Sequence, residues 1–168
     1  MISLRDHLIS NLNWVRQCTE DILKGFPEDQ FTFQTTETDN HVLWTLGHLI
    51  LSDRWILEMV AGEKYEVPDS YEKLFGFQSK AAASPDAYPP IGEVRRYFDE
   101  SRRRLMAWIE QADEEQLTKA VDDGGLGFAK TAFDALSKQM WHEGWHAGQI
   151  APLRRALGLK PAFAPPPE

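Results

Sequence analysis

His142 and His146 stand four residues apart in Trp141-His142-Glu143-Gly144-Trp145-His146-Ala147-Gly148-Gln149, within a segment whose pattern is helical. On a helix, residues i and i+4 share a face, with Cβ atoms about 5–6 Å apart. Two imidazoles so placed reach one divalent cation at about 2.0–2.1 Å from each nitrogen, the distance zinc prefers. The string is also a literal H-E-x-x-H, in which zinc proteases set two ligands and a general base. That reading needs a third ligand downstream. After His146 this sequence has no histidine and one acid, Glu168, behind Pro165, Pro166 and Pro167. Nothing would hold a carboxylate there within the tolerance of metal coordination, so the protease reading is disfavoured.

Upstream, His48 lies in the apolar helical string Trp44-Thr45-Leu46-Gly47-His48-Leu49-Ile50 and should face the core. A buried histidine needs partners for its ring nitrogens. Together His48, His142 and His146 make a three-histidine set with an open coordination position, as in catalytic rather than structural metal centres. Three neutral imidazoles leave the ion's full charge on the site, which lowers the pKa of a bound water or thiol toward neutrality. Glu143, adjacent to a ligand, is a candidate base, although one residue along a helix rotates it by about 100°. Gln149 is the candidate to orient a ligand or bound solvent, with a helix–helix hydrogen bond as its alternative. Trp44 and Trp145 are expected to wall the site. Aromatics at helical spacing, Trp44 and Trp55 among them, also suit a core. His7 and His41 read as surface or capping residues.

These residues need helices to position them, and four helical patterns are present with no convincing strand. The first begins after Ser3, a hydroxyl cap with Asp6 at the positive end of the dipole, and stops at Gly25-Phe26-Pro27. The second is expected to be capped by Asp39 or Asn40 and to run to Ala61-Gly62, with Trp44, His48, Leu51 and Trp55 on one stripe. Residues 62–90 are rich in proline and aromatics. So long a connection is expected to travel the length of a bundle with short helices of its own. The third helix spans residues 91–111, a short turn of helix follows near Asp113, and the fourth runs over residues 130–157, ended by Gly158. Pro152 inside it should kink the helix near Gln149. The expected architecture is all-α, a four-helix bundle with a long crossover between helices 2 and 3. One domain covers residues 1–160, with a Pro-rich tail at 161–168.

A chain of 168 residues, 42% hydrophobic and 26% charged, suits one core. A net charge of −8 argues against nucleic acid as a partner. Arg102-Arg103-Arg104, with Arg95 and Arg96, reads as the solvated face of a helix. Cys18 is the only cysteine, so no internal disulfide exists, and its apolar neighbours favour a buried spectator. No run of about 18 apolar residues suggests a membrane span, and the N-terminus does not read as a signal peptide. A cytoplasmic protein is expected.

Asn40-His41-Val42-Leu43-Trp44-Thr45-Leu46-Gly47-His48-Leu49, with His142-Glu143-Gly144-Trp145-His146-Ala147-Gly148-Gln149-Ile150 leading to Leu153-Arg154-Arg155-Ala156-Leu157-Gly158, resembles the DinB-like superfamily of metal-binding four-helix bundles. The relevant members are the YfiT-like metal-dependent proteins, not the DNA polymerase that shares the name. The likeness runs over residues 3–158. It implies a divalent metal held by His48, His142 and His146, zinc first, with nickel or iron as alternatives. Members with known activity include thiol S-transferases that use bacillithiol, and the N-terminal domains of mycothiol-dependent isomerases and ergothioneine-forming sulfoxide synthases. The last two carry a further domain after the bundle, and with ten residues after Gly158 here their activities are not expected. The implied function is that of a metal-dependent enzyme on a small molecule, a thiol S-transferase or hydrolase, with a low-molecular-weight thiol as the transferase cosubstrate. The alternative is a non-catalytic, stress-associated or binding bundle with a structural or adventitious metal. A plain bundle with satisfied core histidines is a third reading, under which His48→Ala lowers stability without changing metal content. A homodimer is also implied, with Ile109 and Phe163 read as exposed apolar residues.

Overall fold

The computed structural model describes residues 2–163, which are helical throughout their regular structure. The tail prolines Pro165, Pro166 and Pro167 lie outside the described residues. The first helix, α1 (Leu4–Leu23), starts where Ser3 Oγ accepts the Asp6 amide at 3.0 Å. It turns Leu8, Leu12, Val15, Thr19 and Ile22 inward at alternating helical intervals. The second, α2 (Val42–Ala61), is capped by His41, whose Nδ1 accepts the Trp44 amide at 3.1 Å. The expected caps do other work. Asp39 accepts the Thr35 and Thr36 amides in the preceding loop, and Asn40 reaches Gln149. An imidazole nitrogen is an adequate acceptor for a helix amide only when neutral, a condition that tertiary burial sets and local propensity does not show.

Buried residues cover the full circumference of α2 from Val42 to Leu51 rather than one stripe. The reason is its three neighbours: α3 (Ser70–Phe75) from the long connection, α4 (Ile91–Gln111) and α6 (Ala132–Ala156). The approach of α3 depends on Gly47, where a Cβ would lie 2.3 Å from the Phe75 ring. The short α5 (Glu114–Thr118) begins with a capping box between Asp113 and Gln116. Thr131 caps α6, which continues through Pro152 to Ala156. Arg154 near its end is buried and donates to the Ile22 and Lys24 carbonyls, fastening the last turn of α1.

The long helices pair as α1 with α4 and α6, and α2 with α4 and α6. Two apolar cores lie along them. One gathers Ile22, Leu46, Phe75, Phe98, Ile150 and Leu153, the other Leu8, Leu12, Ile56, Leu105, Ile109 and Leu136. On each long helix a polar segment, buried except for the partly exposed Arg16, separates the two: Arg16 and Thr19 on α1, Asp53 on α2, Ser101 and Arg102 on α4, Gln139 and Glu143 on α6. Three sequence expectations are corrected here. Arg102 is not on a solvated face but buried against Asp53 and Glu143, whereas Arg103 and Arg104 are exposed and pair with Glu100. Ile109 has no exposed surface, because it belongs to the second core, while Phe163 is 62% exposed. Cys18 is half-buried rather than enclosed. No helix of the described residues is long and apolar enough to cross a membrane.

Candidate metal centre

Adjacent faces of α2 and α6 bring His48, His142 and His146 together, and their candidate ligand atoms all lie within 4.8 Å of one another. His142 is central, its Nε2 lying 3.3 Å from His48 Nε2 and 3.0 Å from His146 Nε2. Two nitrogens bonded at about 2.0–2.1 Å to one ion are about 3.3 Å apart at a tetrahedral angle and about 2.9 Å apart at a right angle. Both separations fall within that interval.

The opposite edge of each ring faces an oxygen. His48 Nδ1 lies 2.8 Å from the Phe75 carbonyl, His142 Nδ1 3.1 Å from Ser52 Oγ, and His146 Nδ1 3.2 Å from Gln149 Oε1. A carbonyl only accepts, so His48 carries its proton on Nδ1. The Gln149 oxygen also receives the Asn40 amide, which fixes the same tautomer for His146. With Nδ1 protonated, the Nε2 atoms of His48 and His146 each present a lone pair to the common centre. Oxygen partners at the far nitrogen commonly orient imidazole ligands in this way.

Electrostatics favour the neutral rings. Burial lowers the pKa of His48, burial and the neighbouring His48 ring push His142 down to about 4, and burial with the other two rings takes His146 to about 3. Burial disfavours a charged imidazole because the surroundings solvate it poorly. His48 and His146 are almost enclosed, and His142 is partly exposed. Trp44 lies flat on His48, with centroids 4.7 Å apart, and its Nε1 donates to Ser79 Oγ at 2.8 Å. Trp145 contacts the His146 ring at 4.9 Å and stacks on Trp141 while remaining 52% exposed. Of the two residues read as surface or capping, His41 is the cap of α2, buried and donating from Nε2 to the Ala82 carbonyl, and His7 is on the surface. Trp55 packs on Phe128, in the other core.

Glu143 projects elsewhere. Its Oε1 accepts from Arg16 Nε at 2.7 Å and Thr19 Oγ1 at 2.9 Å, and its Oε2 from Arg102 Nη2. Burial alone would push its carboxyl up, but the Arg102 and Arg16 guanidiniums overcome that and hold it below the usual carboxylate range. Asp53 is bound by the same two arginines. Two positive and two negative groups thus form a neutral cluster behind His142. It is joined to that ring through Gln139 Nε2–Asp53 Oδ1 at 2.7 Å and Ser52 Oγ–Gln139 Oε1 at 2.6 Å. Sequence reasoning missed Arg16, Ser52, Asp53, Arg102 and Gln139. Their signal was register: Arg16 follows Leu12 by four residues and Arg102 follows Phe98 by four, so both arginines occupy core positions of their helices.

A search of curated proteins finds no match. A sequence profile of the DinB superfamily matches residues 11–150, a span that includes all three histidines, the packed face of α2 and the cluster behind it. With most of the chain matched and the histidines of α2 and α6 gathered at one point, this protein belongs to the DinB superfamily.

Proposed function

We propose that this protein holds a divalent metal ion on the Nε2 atoms of His48, His142 and His146. The carrier is a four-helix bundle of α1, α2, α4 and α6, in which the α2–α4 connection crosses the length of the bundle. One observation carries the reading: three imidazole nitrogens converge while the opposite nitrogen of each ring is committed to an oxygen. Unshared lone pairs 3.0 and 3.3 Å apart repel one another, and a cation among them turns that cost into binding. An all-imidazole set suits zinc first, with nickel or iron as alternatives.

The reading extends to a metal-dependent enzyme on a small molecule, a thiol S-transferase or a hydrolase, with a low-molecular-weight thiol as the transferase cosubstrate. When bound, the ion supplies a Lewis acid that makes water or a small thiol more acidic near neutral pH. The partial exposure of His142 favours access by such a molecule. Trp44 and Trp145 wall the approach on either side of the rings, Gln149 holds His146, and Glu143 fastens α1 and α4 to α6 rather than acting as a base, since both its oxygens are occupied. A cytoplasmic location and a homodimer belong to the same proposal. Trp141, Trp145 and Phe163 are among the exposed apolar residues that could support a dimer, as Ile109 cannot, and sedimentation of a Trp141→Ala, Trp145→Ala variant tests the first two.

The near-enclosure of His48 and His146 favours a second reading, a non-catalytic bundle with a structural metal. Elemental analysis decides first. Protein purified without added metal or an affinity tag is expected to hold close to one ion per chain, lost in a His142→Ala, His146→Ala variant that circular dichroism shows to be folded. Absence of metal from both, with no tight binding on zinc titration, overturns the metal site. Metal present, with no turnover on a panel of thiols and ester or amide substrates, favours the structural reading.

A further inference from the structure

Of the three histidines, His142 faces the one ambiguous partner. His48 faces a backbone carbonyl, which only accepts, but Ser52 Oγ can either donate to an imidazole or accept from it. Left to itself, this hydroxyl would not choose between the two neutral tautomers of the ring. Only one of them directs the Nε2 lone pair of His142 at His48 and His146.

We infer that Asp53, Gln139 and Ser52 form a relay that fixes the tautomer of His142, with the Asp53 carboxylate, three hydrogen bonds away, setting the direction of every link. The inference rests on the metal reading above for its purpose but not for its geometry. Asp53 is fully buried and its carboxylate only accepts, so Gln139 must turn its amide nitrogen toward it, at 2.7 Å. The amide oxygen is thereby presented to Ser52, whose hydroxyl donates to it at 2.6 Å. The Ser52 proton being used, its lone pair faces His142 Nδ1 at 3.1 Å, and that nitrogen must carry the hydrogen. The carboxylate is itself fixed, receiving Arg102 Nη2 at 3.0 Å, Arg102 Nε at 3.1 Å and Arg16 Nη2 at 3.3 Å.

The arrangement gives the central ligand a carboxylate-directed orientation without placing a carboxylate beside it. The local charge at the metal therefore stays that of three neutral rings. Ser52, Gln139 and Asp53 are positioning residues, acting through His142.

Gln139→Leu is the discriminating variant, because Gln139 is separated from His142 by Ser52. In metal-free protein with 15N-labelled histidine, long-range 1H–15N NMR at neutral pH is expected to show His142 protonated on Nδ1. In Gln139→Leu the Ser52 hydroxyl is released to donate to Nδ1, and His142 shifts toward the Nε2-protonated form. Ser52→Ala, a small change that tests the link even if Gln139→Leu fails to fold, should give a mixture of tautomers, and Ser52→Thr should restore the native one. Zinc affinity should fall about 10–100-fold in Gln139→Leu and Ser52→Ala. A folded Gln139→Leu that keeps Nδ1 protonation, or a Ser52→Ala with the wild-type tautomer, overturns the relay. Failure of the wild type to bind zinc sinks the metal reading alone, since the tautomer is read without metal.

Discussion

Arg102→Met removes one guanidinium from a buried cluster of four charges while nearly preserving the side chain's length. Arg102 makes two hydrogen bonds to Asp53, one to Glu143 and one to the Leu12 carbonyl at 3.2 Å, and only 5% of its surface is exposed. Its loss leaves two fully buried carboxylates sharing Arg16, so one negative charge becomes unpaired in the core. Breaking a buried pair in this way costs about 3–5 kcal/mol, and because Arg16 remains in contact with both acids we expect about 3–4 kcal/mol here. That is a large share of the about 5–15 kcal/mol that stabilises a typical domain. Adding Asp53→Asn removes one of the two acids and should recover about 2 kcal/mol, a coupling of the size seen between groups in direct contact. Arg104→Met is the control. Arg104 stands two residues away on the same helix, paired with Glu100 on the exposed side, and should change stability by no more than about 0.5 kcal/mol. Urea unfolding followed by far-ultraviolet circular dichroism measures all three. A loss under about 1 kcal/mol for Arg102→Met, or equal losses for Arg102→Met and Arg104→Met, refutes the assignment of Arg102 to a desolvated charge cluster.

The His41 cap predicts acid sensitivity in the metal-free protein. Burial pushes its pKa down to about 4, below the about 6.5 of the unfolded chain, so the unfolded state binds the proton first as pH falls. Stability is fully present above about pH 6.5 and declines toward pH 4, by about 3 kcal/mol from this residue; His41→Asn, a cap that does not titrate, should flatten the slope by that amount, and an unchanged slope refutes it. Gly47→Ala drives a methyl into the buried Phe75 ring and should destabilise by about 1–3 kcal/mol despite alanine's higher helix propensity. The same change should weaken zinc binding by displacing the Phe75 carbonyl from His48, and calorimetric titration showing unaltered affinity would separate the two effects. Zinc at about a hundred times its dissociation constant should stabilise the folded protein by about 2.7 kcal/mol, reversed by a chelator; a melting temperature indifferent to zinc counts against a site made in the native state alone.

The sequence by itself determined the helices and the three histidines. Ser3, Gly62 and the Ile91–Gln111 pattern act over one or two turns, and the i, i+4 spacing of His142 and His146 makes a pair on any helix. Local rules reach no further: Ser3 caps α1 through its neighbours in the chain, whereas the surroundings of Arg102, Ile109 and His41 are decided by neighbours in space. Arginine beside arginine reads as solvated until two carboxylates from other helices, at sequence separations of 49 and 41 residues, are seen to desolvate one and leave the next in water. Glu143 belongs to a motif whose local form suggests a base, yet α1 and α4 supply the donors that turn it into a fastening for the core. Tertiary packing alone brought His48 to the other two histidines and set the Phe75 carbonyl and the Ser52 hydroxyl at the far nitrogens of His48 and His142, whereas Gln149 reaches His146 within one helix. Those contacts span up to 94 residues, and only the fold fixes which lone pairs meet.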